Sequence, residues 1–272
     1  MPYRYILTIS NYRKYSNKLI VKIIVILKIY GVSYRSSRYF FNNHREFMEL
    51  LNIKDIPNFR TLSYRSLRID WHLINSSIID IINPYNDSAA VDSSIVKTCK
   101  DTTAQRRRKN GKYKDPESSC CYSTMGYEYG RKVHAVIDTD SLSVMEWKMT
   151  TASAYDKNMA VEMIDSVRNY NYILMYAAYD SSDIYDYIFE NTHAMPVIDT
   201  NRRRGIVEYK LSYNRKLGME HIWYVEHRNY DISIGGIIVA YNCIVMANKI
   251  TGTSERKIMH IVNLGISGYA KQ

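Results

Sequence analysis

An aspartate inside an apolar segment is the first position at which this chain could do chemistry. Asp92 is the one charged residue in AAVDSSIV, residues 89–96, a stretch that predicts a short buried strand. A carboxylate in that setting is costly unless it is paired or binds a metal ion. The alternative to a metal ligand is that Asp92 simply lies on a solvent-exposed face of the strand. The residue type and its setting therefore indicate a candidate metal ligand.

A second candidate lies on a helix predicted from about residue 213 to 230. Four of its residues recur at spacings of 3, 4 and 7, namely Tyr213, Lys216, Glu220 and His227. At these spacings the four side chains share one helix face. A carboxylate among cations can bind a metal ion while the cations contact phosphates; an ordinary helix with intrahelical ion pairs is the alternative. Glu220 is thus the second candidate ligand.

The charge balance predicts a polyanionic partner. The chain has 272 residues, a formal net charge of +10 and a pI of about 9.2. Residues 1–90 hold 13 Lys or Arg against 6 Asp or Glu. A mobile basic loop is predicted over 98–123, and it contains Arg106, Arg107 and Arg108. This balance favours nucleic acid over membrane as the partner.

The apolar segments and cysteines point to a reducing compartment. The apolar run over 19–32 is interrupted by Lys22 and Lys28, and it is shorter than the roughly 20 residues that a spanning helix needs. The 4 cysteines have no metal-ligand spacing and predict no disulfide framework. We therefore expect no membrane partner and a cytoplasmic, nucleoid-associated location.

Residues 1–85 are predicted to be a basic helical DNA-binding region. Apolar residues recur at helical spacing over 19–30, although the further apolar residues there leave a buried strand open. A second helical segment is predicted over 33–51, and a third reaches Asn75 with Thr61 and Ser63 as candidate caps. The basic side chains suit contact with a DNA backbone; the alternative is that they only solvate helix faces.

From residue 88 the pattern changes to strands and then alternates. Strands are predicted over 89–96, 129–138 and 143–150, followed by a helix over 156–167, a strand over 172–178, a helix over 182–190 and a strand over 195–199. Three strands followed by alternating helices and strands are typical of an RNase H-like α/β domain. The predicted fold is a mixed sheet with flanking helices over 86–272, preceded by the all-helical N-terminal region.

Several motifs, in a shared order, resemble the DDE transposases encoded by bacterial and archaeal insertion sequences. The matching segments are Gly31-Val-Ser-Tyr-Arg35, Ile56-Pro-Asn-Phe-Arg-Thr-Leu62, Gly130-x-Lys132-x-His134, Ala178-Tyr179-Asp180-Ser181, Pro196-Val197-Ile198 and the helix face that carries Glu220. The resemblance runs from about residue 18 to 245. It implies DNA strand cleavage and transfer at insertion-sequence ends, with two Mg²⁺ or Mn²⁺ ions as cofactors.

The resemblance also assigns the metal ligands. Asp92 takes the position of the family's first Asp and Glu220 that of its Glu. The family's middle Asp stands three residues before a Tyr, and counting back from Tyr179 places Tyr176 there. Asp180 is a weaker alternative ligand, and we expect it to cap the helix that begins near Ser181.

DNA contacts and assembly follow from the same resemblance. Phosphates of the terminal inverted repeats or of the target would contact the following strand and helix residues, basic except for the tyrosine: Lys132, His134, Tyr213, Lys216 and either His227 or Arg228. We expect a homodimer on double-stranded DNA. The alternatives are a catalytically inactive DNA-binding relic of such a transposase and a cellular RNase H-like nuclease.

Overall fold

The computed structural model describes residues 14–98, 117–123, 126–199 and 227–252, with backbone alone for 123 and 227–230. The helices are α1 (Asn17–Ile29), α2 (Ser37–Asn43), α3 (Arg45–Leu50), α4 (Phe59–Ser66), α5 (Trp71–Ile82), α6 (Lys157–Asp165), α7 (Ser182–Asn191) and α8 (His227–Thr251). The strands are β1 (Ser88–Lys97), β2 (Ser119–Ser123), β3 (Gly126–Asp138), β4 (Val144–Thr151), β5 (Tyr172–Met175) and β6 (Met195–Ile198). Short 3-10 turns lie at Tyr34–Ser36 and Ala177–Tyr179.

Helix α1 begins and ends at residues suited to those positions. The Ser16 hydroxyl accepts a hydrogen bond from the Leu19 amide at 3.2 Å. At the other end Gly31 adopts φ +64°, a conformation that favours glycine. The Val32 amide then donates to the Leu27 carbonyl at 2.8 Å, which closes a Schellman motif. The helical reading of this segment is correct, and the strand alternative is wrong.

The helix predicted to reach Asn75 is in fact two helices with other caps. Asn58 caps α4 by accepting from the Arg60 amide at 2.9 Å. Asp70 caps α5 by accepting from the Leu73 amide at 3.0 Å. Thr61 lies inside α4, as does Ser63, so the prediction that these two residues cap the helix is wrong.

A mixed sheet forms the centre of the molecule. Its order is β4–β3–β1–β5–β6, and β2 continues beside β3 beyond the end of β4. Strand β1 is antiparallel to β3 and parallel to β5, which is itself parallel to β6. The predicted fold class, a mixed sheet with flanking helices and helices at the N-terminus, is confirmed.

The basic loop predicted over 98–123 needs one correction. Its last five residues, 119–123, form β2, which pairs with 126–130 of β3. Polar composition without apolar periodicity concealed this strand, because it is an edge segment held by backbone pairing. Residues 99–116, including Arg106, Arg107 and Arg108, lie outside the described part of the chain.

Separate cores cover the two faces of the sheet. On one face Val91 and Val136 pack against α6 and α7. On the other, Val133 and Trp147 pack with the N-terminal helices and α8 in a single cluster. Residues 17–82 and one face of the sheet thus share a core. The domain boundary predicted at residue 85 remains a prediction.

Helix α8 is the element that joins the N-terminal helices to the sheet. The helix predicted over about 213–230 overlaps α8 only at residues 227–230, since its earlier part lies outside the described residues, and α8 reaches Thr251. Residues 231–251 form a helical segment that is long and apolar enough to cross a membrane, with a mean hydropathy of 1.4. Inside the protein, however, 72% of its apolar 18-residue stretch is buried. Packing against α1, α5 and β4 accounts for this apolar surface.

Candidate active site

The pairing of β5 with β1 ends one residue before Asp92 and Tyr176. Strand β5 pairs with β1 in parallel as far as Met175, which lies opposite Val91. Asp92 is the next residue of β1, and Tyr176 is the next residue after β5. The chain then leaves the sheet in the 3-10 turn Ala177–Tyr179, so the pairing of β5 with β1 ends at Met175.

Asp92 is a partly buried carboxylate in an electrostatically unfavourable position. Burial raises its pKa to about 6, and the negative charge of Asp156 acts in the same direction. The Ser93 amide donates to Asp92 Oδ1 at 2.6 Å, which partly offsets the burial. A cation placed here would relieve the repulsion between the two acids.

Asp156 is a site residue that the sequence reading did not identify. It stands immediately before α6, and its Oδ1 accepts from Lys132 Nζ and from the Ser93 hydroxyl, each at 2.9 Å. The sequence predicts residue 156 only as the start of a helix over 156–167. A signal was available, since two basic residues on one strand, Lys132 and His134, required an acidic partner if they faced the interior.

Lys132 and His134 are buried, with exposures of 7% and 0%. Lys132 Nζ also donates to the Ala154 carbonyl at 2.8 Å, and His134 Nε2 lies 2.8 Å from the Thr150 hydroxyl. Burial lowers the pKa of His134 to about 4, so its ring is neutral at pH 7. Both side chains lie inside the protein here, and the expectation that they contact DNA phosphates stays a prediction.

Gly130 owes its place in the same motif to backbone packing. A Cβ at this residue would lie 2.2 Å from the Val96 carbonyl oxygen of β1. No side chain can be accommodated at that distance without moving a strand. The glycine therefore permits β1 and β3 to pair closely just before the buried Lys132.

Tyr176 and Asp180 are the two candidates for the middle ligand, and Asp180 does not have the helix-capping role that was expected of it. Tyr176 is half-buried and its ring packs against the core beneath α6 and α7. Asp180 is exposed and follows the 3-10 turn, and Ser181 occupies the N-cap position of α7. The prediction that Asp180 caps this helix is therefore wrong. Tyr179 is buried beside the acids, and burial together with Asp156 and Asp92 raises its pKa.

The side chains of the remaining predicted site residues lie outside the part of the chain that the structure describes. Tyr213, Lys216 and Glu220 are outside the described residues. For His227 and Arg228 only the backbone is described, at the start of α8. Within the described ranges no group of three or more His, Cys, Asp or Glu side chains could hold a metal ion.

Comparison with known proteins identifies the family. The Transposase DDE domain matches residues 87–245, which is more than half of the chain. This chain belongs to the DDE transposase domain family. Members of the family normally use divalent metal ions. The match spans the whole sheet and ends inside α8.

Two further comparisons complete the picture. No curated protein matches this transposase-family chain. A solved structure that is similar to it is a piggyBac transposase synaptic complex with hairpin DNA, determined by cryo-electron microscopy. The two chains are 12% identical with a TM-score of 0.46, and the alignment covers 94% of this chain and 72% of the other.

The described residues fit a metal pair only in part. Asp92 offers a partly buried carboxylate whose pKa is raised by burial and by the charge of Asp156, an oxygen donor of the kind that a divalent ion prefers. Tyr176 presents a phenol at the neighbouring position, and phenols are neutral near pH 7 and poor ligands for Mg²⁺. Asp156 already accepts two hydrogen bonds from protein groups. The described donor set therefore does not complete a two-metal centre.

Proposed function

We propose that this transposase-family chain binds double-stranded DNA at insertion-sequence ends, as a homodimer, with a catalytic centre that lacks its middle carboxylate. The observation that carries the proposal is the position of Tyr176. Met175 is the last β5 residue paired with β1 and lies opposite Val91, so residue 176, a tyrosine, follows that pair by one position as Asp92 does. A nucleoid-associated, cytoplasmic location accords with this function.

Two-metal cleavage of DNA requires enough negative charge to hold both ions. The ions in such sites lie roughly 3.5–4 Å apart and share carboxylate ligands. With a phenol at position 176, Asp92 and Glu220 would have to hold two dications, so metal affinity and cleavage should be very low. DNA binding does not depend on that charge, because it rests on cations that neutralise phosphates.

The test is the restoration of the missing carboxylate. Tyr176→Asp should raise Mg²⁺- or Mn²⁺-dependent nicking of DNA that carries the terminal repeats well above the level of the natural chain. Asp92→Asn in the Tyr176→Asp background is the control, and it should abolish the gained activity.

A third variant separates this proposal from its alternatives. Robust nicking by the natural chain that Asp180→Asn abolishes would make Asp180 the middle ligand and the protein an active transposase. Robust nicking that is insensitive to Asp180→Asn would refute the degenerate centre altogether. Cleavage without preference for the terminal repeats would favour a cellular RNase H-like nuclease.

A further inference from the structure

A row of arginines held on aromatic rings lies on the outer surface of the N-terminal helices. The Arg60 guanidinium carbon lies 5.8 Å from the centroid of the Phe59 ring. The Arg35 guanidinium carbon, from the 3-10 turn before α2, lies at the same distance from that ring. The two arginines come from separate sequence motifs, so tertiary packing alone brings them together.

The row continues along α4. Tyr64 is one helical turn beyond Arg60, and its side chain is 56% exposed. The Arg68 guanidinium carbon lies 4.4 Å from the Tyr64 ring centroid, and its Nη2 donates to the Tyr64 hydroxyl. We call this set, Arg35, Phe59, Arg60, Tyr64 and Arg68, the arginine row.

No carboxylate in the described part of the chain neutralises the arginine row. Among the described residues, Arg35, Arg60 and Arg68 form no ion pair with a carboxylate, and α4 itself contains no acid. The neighbouring cations differ, because Asp55 pairs with Lys14 at 3.2 Å and with Arg38 at 3.9 Å. Arg65 differs too, since it is buried and donates to the Tyr15 carbonyl.

We propose that the arginine row is a contact surface for the phosphates of duplex DNA. A guanidinium that lies against an aromatic ring is restricted in orientation, and its N–H edge remains available for a phosphate. From Arg60 to the end of α4 at Ser66 the row spans roughly 9 Å at about 1.5 Å per residue, and Arg68 extends it beyond the helix. Duplex DNA carries one charge per about 1.7 Å of its axis, so several phosphates lie within that span. The assignment rests on the DNA binding proposed above and names the surface responsible.

The decisive measurement is the salt dependence of DNA binding by the full chain. Each phosphate contact contributes about 0.9 to the slope of log K against log salt concentration. Arg35→Gln/Arg60→Gln should therefore reduce the slope by about 2 on a duplex of unrelated sequence and on terminal-repeat DNA alike. The matched control is Lys148→Gln/Arg168→Gln, which removes the same charge from two exposed residues that pair with Glu162 and Asp165 on other elements. This control should retain the slope of the natural chain.

The outcomes are distinct. An unchanged slope for Arg35→Gln/Arg60→Gln, or an equal fall in the control, would overturn the arginine row while leaving DNA binding intact. A loss confined to terminal-repeat DNA would also overturn it, because base reading would then replace phosphate contact. No binding of any duplex by the natural chain would refute the proposed function itself. Circular dichroism should show that both double variants keep the natural fold.

A charge-neutral variant tests the aromatic support. Phe59→Leu keeps both cations but removes the ring on which they lie. We expect DNA binding that is severalfold weaker at fixed salt, with the slope of the natural chain retained. Binding equal to that of the natural chain would show that the ring does not position the arginines.

Discussion

At the scale of single residues, Asp92 carries a cost that a functional site would explain. Its pKa rises from 3.8 to about 6 on folding, so the folded state holds the proton more tightly than the unfolded state. Stability from this group is therefore fully present below pH 3.8 and is lost as the pH rises through about 6. At neutral pH the ionised Asp92 destabilises the fold by about 3 kcal/mol, from about 1.4 kcal/mol per pKa unit.

Replacement by the uncharged amide should expose that cost. We expect Asp92→Asn to increase the free energy of unfolding at pH 7.5 by about 1–3 kcal/mol, and by clearly less at pH 4.5. Urea denaturation of both chains at the two pH values measures this difference. The titration of His134 occurs in both chains and cancels. An equal difference at the two pH values would contradict the raised pKa of Asp92.

The buried ion pair between Lys132 and Asp156 gives a second prediction at this scale. Lys132→Met would leave Asp156 with its charge largely buried and uncompensated, so we expect a loss of about 3 kcal/mol of unfolding free energy. Lys148→Met is the matched control, because the Lys148–Glu162 pair is exposed and should contribute less than about 1 kcal/mol. Comparable losses from both variants would show that Lys132 has no special internal role.

At the scale of elements, the approach of α8 to the sheet depends on one glycine. A Cβ on Gly235 would lie 2.7 Å from the Trp71 Cβ and 3.1 Å from the Trp147 Cζ2. We expect Gly235→Ala to reduce the free energy of unfolding by about 1–3 kcal/mol, because the core of α5, α8 and β4 is already filled. Thermal unfolding followed by circular dichroism measures the change.

The neighbouring glycine is the control for that prediction. A Cβ on Gly236 would have its nearest neighbour at 3.5 Å, which is ordinary van der Waals contact. Gly236→Ala should therefore be neutral or stabilise the protein by up to about 1 kcal/mol, through the higher helix propensity of alanine. A destabilisation as large as that of Gly235→Ala would mean that helix flexibility, and not close packing, selects these glycines.

At the scale of the whole molecule, the N-terminal helices and the sheet should unfold together. Their shared core includes Ile24 of α1, Trp71 of α5, Ile238 of α8 and Trp147 of β4. Buried polar groups add to it: Asn242 of α8 donates to Asn75 of α5 at 2.6 Å and accepts from the Val144 amide at 2.9 Å. A division at residue 85 would expose this surface to water.

The prediction is a single cooperative transition in the full chain. Tryptophan fluorescence, which reports on Trp71, Trp147 and Trp223 together, should coincide in urea midpoint with far-ultraviolet circular dichroism. A fragment comprising residues 86–272 should bind a hydrophobic dye, because the apolar face of α8 would lose its cover. Two separate transitions, or a fragment that unfolds cooperatively and binds no dye, would instead establish two independent domains.

The sequence by itself determined the local features of this protein. Helical periodicity identified α1, alternation identified β3 and β4, and the apolar setting of Asp92 singled it out as a candidate ligand. The matched motifs gave the family, and the count back from Tyr179 gave Tyr176 as the residue at the middle ligand position. The elements and the family are confirmed, because these inferences depend on neighbours a few residues apart, where spacing translates directly into a shared face; the two site assignments stay predictions.

Only the tertiary structure decided the relations between distant residues. Asp156 meets Ser93 and Lys132 across 63 and 24 residues of sequence. Arg35 meets Phe59 because the 3-10 turn packs on α4. Neither contact leaves a periodic signal, since strand register and helix packing are fixed by burial of whole faces. The same reason explains why Lys132 and His134 resemble DNA-contacting residues in sequence and are interior residues in the fold.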